Sequence, residues 1–273
     1  MGPIGAVLCG AVASGGLVAR WETLLVLVLA AFVADPLWGA LWALIADADW
    51  LLVLDSRRLP ARGDVVLPVP YTTPGSPAQR FAVWLGRVRV WARKEFAPRL
   101  GGHAVSLVVI VPLLAVLSLI LGPRAVTLSL AALGVTLGAL LTRSPDGPPS
   151  PWLRALLEIG LPWLLGHGSL APFTARSALA VLGYTITYGA SLSLLNSMNR
   201  HTLFLLNGGQ VAALSLLVLW QQPIAATMGG LLLLAQVAAQ THLNAAPARV
   251  AWYSRWTQPL MLVGMLVAAL AVR

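Results

Sequence analysis

The stretch "LLVLVLAAFVADPLWGALWALIADADW", residues 24–50, decides the fold of this chain. It is an apolar run of the length that an α-helix needs to cross a bilayer, about 20 residues, and it ends in a cluster of aspartates. Comparable runs recur along nearly the whole chain: 58% of the 273 residues are hydrophobic, only 10% are charged, and the mean hydropathy is +0.82. Backbone polar groups in lipid must bond within helices or a closed barrel. Because the runs are continuous and not alternating, the sequence predicts an all-α integral membrane protein.

Nine membrane spans are predicted when Pro, Gly and charged residues are used as boundaries between the apolar runs. They cover residues 3–18, 22–46, 103–121, 124–142, 152–171, 174–196, 203–220, 223–243 and 257–272. The first run is not followed by a clear cleavage region, so we interpret it as a span and not as a signal peptide. The prediction is one polytopic transmembrane helical bundle, residues 1–273, with about nine spans around a central cavity.

Basic residues are divided unevenly between the two faces that nine spans define. One face carries 14 of the 18 basic residues: Arg57, Arg58, Arg62, Arg80, Arg87, Arg89, Arg93, Lys94, Arg99, Arg143, Arg154, Arg200, Arg249 and Arg255. The other carries Arg20, Arg124, Arg176 and Arg273. Because positive charge resists translocation, the first face is predicted to be cytoplasmic, with the N terminus inside and the C terminus on the opposite side. We expect a protein of a bacterial inner membrane that contacts the lipid bilayer and other membrane subunits, and no nucleic acid, since basic residues in such a chain set topology and contact anionic headgroups.

The longest connection, residues 47–102, is predicted to be a cytoplasmic loop with two different halves. Its first half, "LPARGDVVLPVPYTTPGSP" (59–77), is rich in Pro and Gly and should be irregular. Its second half, "AQRFAVWLGRVRVWARKEF" (78–96), places large apolar side chains at helical spacing among arginines. A basic amphipathic helix over about 78–98 follows. It either anchors the loop in the cytoplasmic headgroup region or uses its arginines to capture phosphate.

Three aspartates, Asp47, Asp49 and Asp55, lie where the second span meets this loop, in a chain with only nine acids. Carboxylates at such a rim can simply stay hydrated. They can also hold Mg²⁺, which prefers one or two carboxylates together with substrate phosphate. Neighbouring basic side chains, namely Arg57, Arg58, Arg62, Arg93 and Lys94, would then meet the phosphate oxygens. The combination predicts a diphosphate site at the membrane surface, with the three aspartates as candidate metal ligands.

The stretches "GAVLCGAVASGG" (5–16) and 24–50 resemble the first two helices and the first aspartate-rich loop of the UbiA-type membrane prenyltransferases, with features of the chlorophyll synthase branch. The nine-span layout, the long loop after the second span and the stretch "YTITYGASLSLLNSMNRHTLFLLNGG" (184–209) are also similar to that family. The resemblance implies a helical cavity in which two aspartate-rich loops hold Mg²⁺ and a prenyl diphosphate. The allylic C–O bond then ionises, and an aromatic or tetrapyrrole acceptor captures the carbocation.

The chain departs from the family pattern in both loops. The first loop of the family reads approximately N-D-x-x-D-x-x-x-D, but here Ala46 stands at the asparagine, and the later aspartate positions fall on Trp50 and Leu54. The second loop should carry aspartates, but the corresponding positions are Gly189, Asn196 and Asn199 or Arg200, and no carboxylate follows Glu158. An asparagine offers a metal a neutral carbonyl oxygen and cannot offset its charge. The second metal site of the family is therefore predicted to be absent.

Other polar residues within the predicted spans have two interpretations each. Tyr184, Tyr188 and Ser191 share one helix face, which either lines a substrate cavity or joins helices by hydrogen bonds. The substrate-binding candidates are Arg57, Arg58, Arg62, Arg93, Lys94, Tyr184, Tyr188, Asn196, Asn199 and Arg200. His167 and His201 are candidate ligands of a pigment magnesium or haem iron, or histidines that only hydrogen-bond at a helix end. Asp35 and Glu158 are either functional acids at membrane depth or acids bonded to a neighbouring helix.

Two hypotheses of function remain open, and we favour the first because of the missing second aspartate cluster. In the first, a UbiA-like protein has lost prenyl-transfer chemistry and serves as a binding or structural subunit of a membrane complex, holding a quinone, a lipid or a (bacterio)chlorophyll-type pigment. In the second, a divergent Mg²⁺-dependent prenyltransferase uses Asp47, Asp49 and Asp55 with the loop arginines. A transporter ranks below both, since no inverted repeat is evident.

Overall fold

The computed structural model describes residues 2–48, 50, 53, 73, 75–144, 147–196, 198–243 and 246–273. Within these residues the chain forms nine helices and no strand. They are α1 (Pro3–Ala13), α2 (Trp21–Ile45), α3 (Pro77–Leu121), α4 (Pro123–Thr142), α5 (151–168), α6 (Ala175–Asn196), α7 (Arg200–Leu219), α8 (Pro223–Gln240) and α9 (Pro247–Ala271). The predicted all-α class is confirmed.

Six of these helices are long and apolar enough to cross a membrane: α2, α3, α4, α6, α7 and α8. The apolar helix α1 is shorter, with 11 residues. Large aliphatic side chains remain exposed along the outside of the bundle, such as Val105, Val108, Ile224 and Leu231. Such a continuous apolar exterior is expected where the solvent is lipid. The structure is that of an integral membrane helical bundle.

The ends of the helices follow from short sequence signals. Six helices begin with a proline, whose missing N–H costs nothing in a first helical turn: α1, α3, α4, α5, α8 and α9. Asn199 caps α7 by accepting a hydrogen bond from the Thr202 N–H at 2.7 Å. Gly122, between α3 and α4, has a φ of 103°, which a side chain would disfavour. These signals allow close turns between successive helices.

Successive helices run in opposite directions, so the loops gather at two ends of the bundle. At one end, which we call the Asp47 end, the end of α2 lies beside the beginnings of α1 and α5 and the end of α6. The C-terminal Arg273 lies beside Gly15 at the other end. The chain therefore begins and finishes at opposite ends of the bundle.

Helix α5 lies at the centre, because it contributes to two hydrophobic clusters. One cluster joins it to α2, α3 and α4 around Trp38, Leu41 and Leu161. The other joins it to α1, α6, α7 and α9 around Trp163 and Met265. Side chains of α5 are therefore held from both sides, which is a rigid base for a site.

The amphipathic helix predicted at about 78–98 is the first part of α3, which continues without a break to Leu121 over 45 residues. The predicted span boundary before residue 103 does not interrupt this helix. Ser76 caps the helix, and Phe81 and Trp84 are exposed on it. Its position in the headgroup region stays a prediction.

Three helices contain a π-helical turn, in which the chain fits one extra residue into a turn. The turns are Val33–Leu37 in α2, Ala92–Phe96 in α3 and Leu156–Gly160 in α5. Each has a proline inside it or two residues after it: Pro36, Pro98 and Pro162. Because proline lacks an N–H and crowds the preceding carbonyl, a wider turn relieves the conflict without ending the helix.

Candidate functional site

Two adjoining cavities open at the Asp47 end. The larger, of about 290 Å³, lies between the beginning of α1, helix α2 and helix α5. The smaller, of about 120 Å³, lies between the end of α2, the segment before α5 and the end of α6. Trp42, Asp47 and Arg154 line both cavities. These three residues therefore form the wall where the two cavities meet.

Asp47 is held in place by its backbone. Its N–H bonds to the Trp42 carbonyl at 3.2 Å, and its own carbonyl accepts a hydrogen bond from the Arg143 guanidinium at 3.0 Å. Arg143 also bonds the carbonyls of Ala46 and Gly147, so it ties the end of α2 to the segment after α4. The carboxylate itself is exposed at the rim. The surrounding protein removes part of its hydration, which raises the pKa of Asp47, and the charges of Arg154 and Arg143 oppose the rise.

The indole N–H of Trp42 is a hydrogen-bond donor in the wall that the two cavities share. Its side chain is only 5% exposed, and its indole N–H makes no hydrogen bond with any residue that the structure describes. The N–H lies close enough to the Asp47 carboxylate to favour the charged form of that group. A buried N–H without a partner costs on the order of 1–3 kcal/mol, so this donor is suited to a ligand oxygen.

Arg154, Glu158 and Tyr188 form a hydrogen-bonded chain behind this wall. Arg154 Nε donates to Glu158 Oε1 at 2.7 Å, and the Tyr188 hydroxyl donates to Glu158 Oε2 at 2.6 Å. Tyr188 is 5% exposed, whereas half of the Arg154 side chain is exposed. Glu158 occurs in the π-turn of α5. One carboxylate oxygen of Glu158 thus holds the Arg154 guanidinium at the cavity wall, and the other is bonded to Tyr188.

Asp35 lies deeper in the larger cavity. It occurs in the π-turn of α2, twelve residues before Asp47, which corresponds to about 18 Å along a helix axis. Its carboxylate is half-buried and makes no hydrogen bond or ion pair with any residue that the structure describes. The two acids predicted at membrane depth, Asp35 and Glu158, therefore line one cavity, one without a partner and one with two.

The structure brings some of the predicted site residues together and leaves others apart. Asn196 lines the smaller cavity with Asp47, so the two predicted loops meet there. Asn199 instead caps α7, and Tyr184 lies in the second hydrophobic cluster, away from both cavities. Arg93, Lys94 and Arg200 are exposed and line neither cavity. The remaining candidates lie outside the described residues: Asp49, Asp55, Arg57, Arg58 and Arg62.

The candidate pigment ligands are in different environments. His167 is 1% exposed, its Nε2 lies 2.9 Å from the Pro172 carbonyl oxygen, and its Nδ1 has no hydrogen-bond partner in the described part of the chain. Its ring stacks on Phe173 inside the bundle. His201 is exposed in the first turn of α7. Ligation of a pigment by either residue stays a prediction.

Among the residues that the structure describes, the donor set at the Asp47 end fits one Mg²⁺ ion. Across the described part of the chain, no three His, Cys, Asp or Glu side chains are arranged to hold a metal. Mg²⁺ does not require such a cage, because one or two carboxylates and substrate phosphates suffice. Asp47 offers one exposed carboxylate of this kind. Asn196, on the other side of the smaller cavity, offers only a neutral oxygen.

Arg154 is the functional candidate that sequence reasoning missed, since it was counted only as a topological charge. One signal in the sequence could have found it. Arg154 and Glu158 stand four residues apart at the start of an apolar span, and such a pair shares one helix face. A charged pair within a span is expected to face a cavity or a partner, because isolated charges are costly in lipid.

Comparison with known proteins gives one similarity. The chain is 26% identical over 302 aligned positions to the bacteriochlorophyll synthase 34 kDa chain of Chloroflexus aurantiacus, and the alignment covers 99% of this chain and 86% of that protein. No protein-family model matches the chain, and no solved structure matches it. The chain is therefore similar, over nearly its full length, to a bacteriochlorophyll synthase chain.

Proposed function

We propose that this protein is a membrane prenyltransferase of the UbiA type, which transfers a prenyl group from a prenyl diphosphate to an aromatic or tetrapyrrole acceptor. One observation carries the proposal. Asp47, Asn196 and Arg154, which come from three separate segments, surround the same cavity at one end of the bundle. Asp47 and Asn196 stand in the two loops that resemble the aspartate-rich loops of that family.

The full-length similarity to a bacteriochlorophyll synthase chain supports the same proposal. A tetrapyrrole acceptor is the class that this relative favours. Residues 24–50 also supply the features of the chlorophyll synthase branch. Asp47 therefore belongs to the best-preserved part of the resemblance.

The proposed reaction breaks the bond between C1 of the prenyl group and the diphosphate oxygen. The electron pair of that bond leaves with the diphosphate, and a nucleophilic atom of the acceptor forms the new bond to C1. A carboxylate acceptor has no proton to lose, whereas a ring-carbon acceptor transfers one to a base. The reaction requires that water be kept away from the cation, since water would otherwise trap it.

The protein groups at the cavity are suited to the diphosphate end of this reaction. Mg²⁺, when bound by Asp47 and diphosphate oxygens, would offset negative charge on the leaving group. The Trp42 N–H provides a hydrogen-bond donor at the same wall. Because one metal ion does not neutralise a diphosphate, the site also needs a protein cation, and Arg154 lines both cavities.

A second candidate function is a binding or structural subunit that has lost this chemistry. The observation that favours it is the absence of any carboxylate after Glu158, which leaves Asn196 where the family has an acid. Such a protein would hold a quinone, a lipid or a bacteriochlorophyll-type pigment in the old cavity, within a membrane complex.

A transfer assay separates the two candidates. The protein in lipid nanodiscs is incubated with Mg²⁺, radiolabelled geranylgeranyl diphosphate and bacteriochlorophyllide, and prenylated product is separated by chromatography. We expect product from the wild type, and we expect Asp47→Asn to lower the rate of transfer by about 100-fold. Glu95→Gln is the matched control, because Glu95 is an acid on α3 whose partner is Arg99, and it should leave the rate unchanged.

The opposite result would support the second candidate. The protein would then give no product with tetrapyrrole or aromatic acceptors. Gentle purification from its native membrane, followed by absorption spectroscopy and mass spectrometry, would show a stoichiometric pigment, quinone or partner subunit.

A further inference from the structure

We infer that Arg154 binds the diphosphate group of the prenyl donor and that Glu158 and Tyr188 position its guanidinium for this purpose. The inference rests on the proposed function, which it deepens by naming the cation that takes up charge where the second loop lacks acids. Arg154 would be a substrate-binding residue. Glu158 and Tyr188 would be positioning residues that do not touch the substrate.

The hydrogen bonds of Arg154 leave its phosphate-binding edge open. Only Nε bonds to Glu158, and the terminal Nη1 and Nη2 groups make no hydrogen bond within the described part of the chain. A guanidinium has five donors in a fixed plane, and two parallel N–H groups match two phosphate oxygens. Using the Nε donor on Glu158 therefore fixes the plane without occupying the outer edge.

Tyr188 makes this arrangement rigid. A carboxylate bonded only to Arg154 could swing with it, since both belong to the same helix α5. The bond from the Tyr188 hydroxyl joins the second oxygen of Glu158 to helix α6 at 2.6 Å. Tyr188 is itself packed in the second hydrophobic cluster. The direction of the guanidinium is thus set by two helices.

The surroundings of Arg154 favour an anion that also carries a metal. The buried Trp42 N–H makes no hydrogen bond among the described residues and belongs to the same wall. Asp47, at the rim, is an acid that would repel a bare diphosphate and attract one that carries Mg²⁺. Two kinds of donor and one carboxylate around the same space match a phosphate ester bound to a single metal ion.

A purely structural ion pair between Arg154 and Glu158 is the competing explanation, and it predicts different behaviour. A structural pair would affect the stability of the bundle and would affect binding of all ligands alike. A diphosphate anchor should affect only ligands that carry the diphosphate. Geranylgeranyl diphosphate and geranylgeraniol, which share one prenyl chain, distinguish these cases.

The test measures the Kd of both ligands, with Mg²⁺ present, for protein in nanodiscs. We expect Arg154→Gln to weaken geranylgeranyl diphosphate binding by about 10- to 100-fold, since hydrogen bonds to charged groups contribute the corresponding free energy. Binding of geranylgeraniol should be unchanged. Arg154→Lys, which keeps the charge but not the planar fork, should give an intermediate loss.

A buried tyrosine outside the site, Tyr253, provides the matched control for the positioning residue Tyr188. Tyr188→Phe removes the bond to Glu158 and should weaken binding of the diphosphate by about 3- to 10-fold. Tyr253→Phe, on α9 and also buried, removes a hydroxyl that bonds to Gln240 and should have no effect on the Kd. Arg249→Gln removes an exposed arginine that lines neither cavity and should also leave the Kd unchanged.

Two outcomes would overturn the inference. Arg154→Gln and Tyr188→Phe could both bind the diphosphate as tightly as the wild type, or both ligands could lose affinity equally. If the wild type transfers the prenyl group in these cases, the proposed function stands and only the role of Arg154 is wrong. If the wild type binds no prenyl diphosphate, the proposed function itself fails. Because Arg154→Lys and Tyr188→Phe preserve most packing, they keep the test valid if Arg154→Gln does not fold.

Discussion

Asp35 and Glu158 are two acids of one cavity whose substitutions should have opposite effects on stability. Asp35 has no partner among the described residues, so its carboxylate loses hydration without compensation. Asp35→Asn should therefore raise the free energy of unfolding, by about 1 kcal/mol. Glu158 bonds to Arg154 and Tyr188, so Glu158→Ala leaves both without their acceptor and should lower the free energy by about 2 kcal/mol. Thermal unfolding in one detergent, followed by tryptophan fluorescence, measures both changes.

The sign of the change at Asp35 decides between its two interpretations. A lower unfolding temperature for Asp35→Asn would mean that the carboxylate makes a structural bond, and the functional interpretation would then be wrong. A higher temperature together with altered acceptor binding would agree with an acid kept for its ligand at a cost in stability. Asp35→Leu is a useful second variant, because it removes the polar group altogether.

Single residues of the site were predictable only where a polar side chain stood out from its apolar surroundings. Asp47 and Asn196 could be chosen from the sequence because both lie where an apolar run meets a loop. Asn199 was indistinguishable from Asn196 on that basis, but its side chain is used by Thr202 at the start of α7. The proposed role of Arg154 depends on the hydrogen bond between Glu158 and Tyr188, which joins α5 to α6 and which no sequence pattern gives.

Helices α1 and α5 approach each other so closely that side chains are excluded between them. A methyl group on Gly10 would overlap the Trp163 carbonyl oxygen, and one on Gly166 would overlap that of Val7. Small residues permit such contacts between membrane helices. Gly10→Ala should therefore lower the free energy of unfolding by about 1–3 kcal/mol, measured as a lower temperature of unfolding or aggregation in detergent.

Gly134→Ala in α4 is the control for this prediction. No atom lies within 4 Å of the methyl group that it would add, and alanine is a better helix former than glycine. The control should be neutral or slightly stabilising. If Gly10→Ala were as stable as Gly134→Ala, helices α1 and α5 could not be as close at Gly10 as described here.

Helix bounds were largely predictable, but the interruptions within helices were not. A helix covers each apolar run, because length and hydropathy decide that a segment is helical in lipid. Residues 97–102, with Pro98 and two glycines, suggested a boundary, yet α3 continues through them. The π-turn at Ala92–Phe96 absorbs the conflict at Pro98. Such turns depend on packing as well as on proline, so a one-dimensional pattern does not reveal them.

For the whole molecule, the alternating direction of successive helices was predictable, but the choice of which helices pack against each other was not. Consecutive spans with short loops must run in opposite directions, and the structure has this order. The sequence did not indicate that the short α1 would pack along α5, or that α5 would lie between two clusters. The packing of α1 against α5 depends on small residues such as Gly10 and Gly166. Their importance is visible only when both are seen at the same helix contact.

The direction of the bundle in the membrane is a prediction for the whole molecule. The structure places the two chain ends at opposite ends of the bundle, and the predicted cytoplasmic face carries 14 of the 18 basic residues. This face is the Asp47 end, so the candidate site should open toward the cytoplasm, where a diphosphate substrate is soluble.

Alkaline phosphatase fused after Arg273 should be active, because it folds only outside the cytoplasm, and green fluorescent protein at that position should be dark. Fused after Met198, at the Asp47 end, the two reporters should show the reverse. An active phosphatase after Met198 would show that the protein has the opposite orientation. The site would then have to receive its diphosphate from the other side of the membrane.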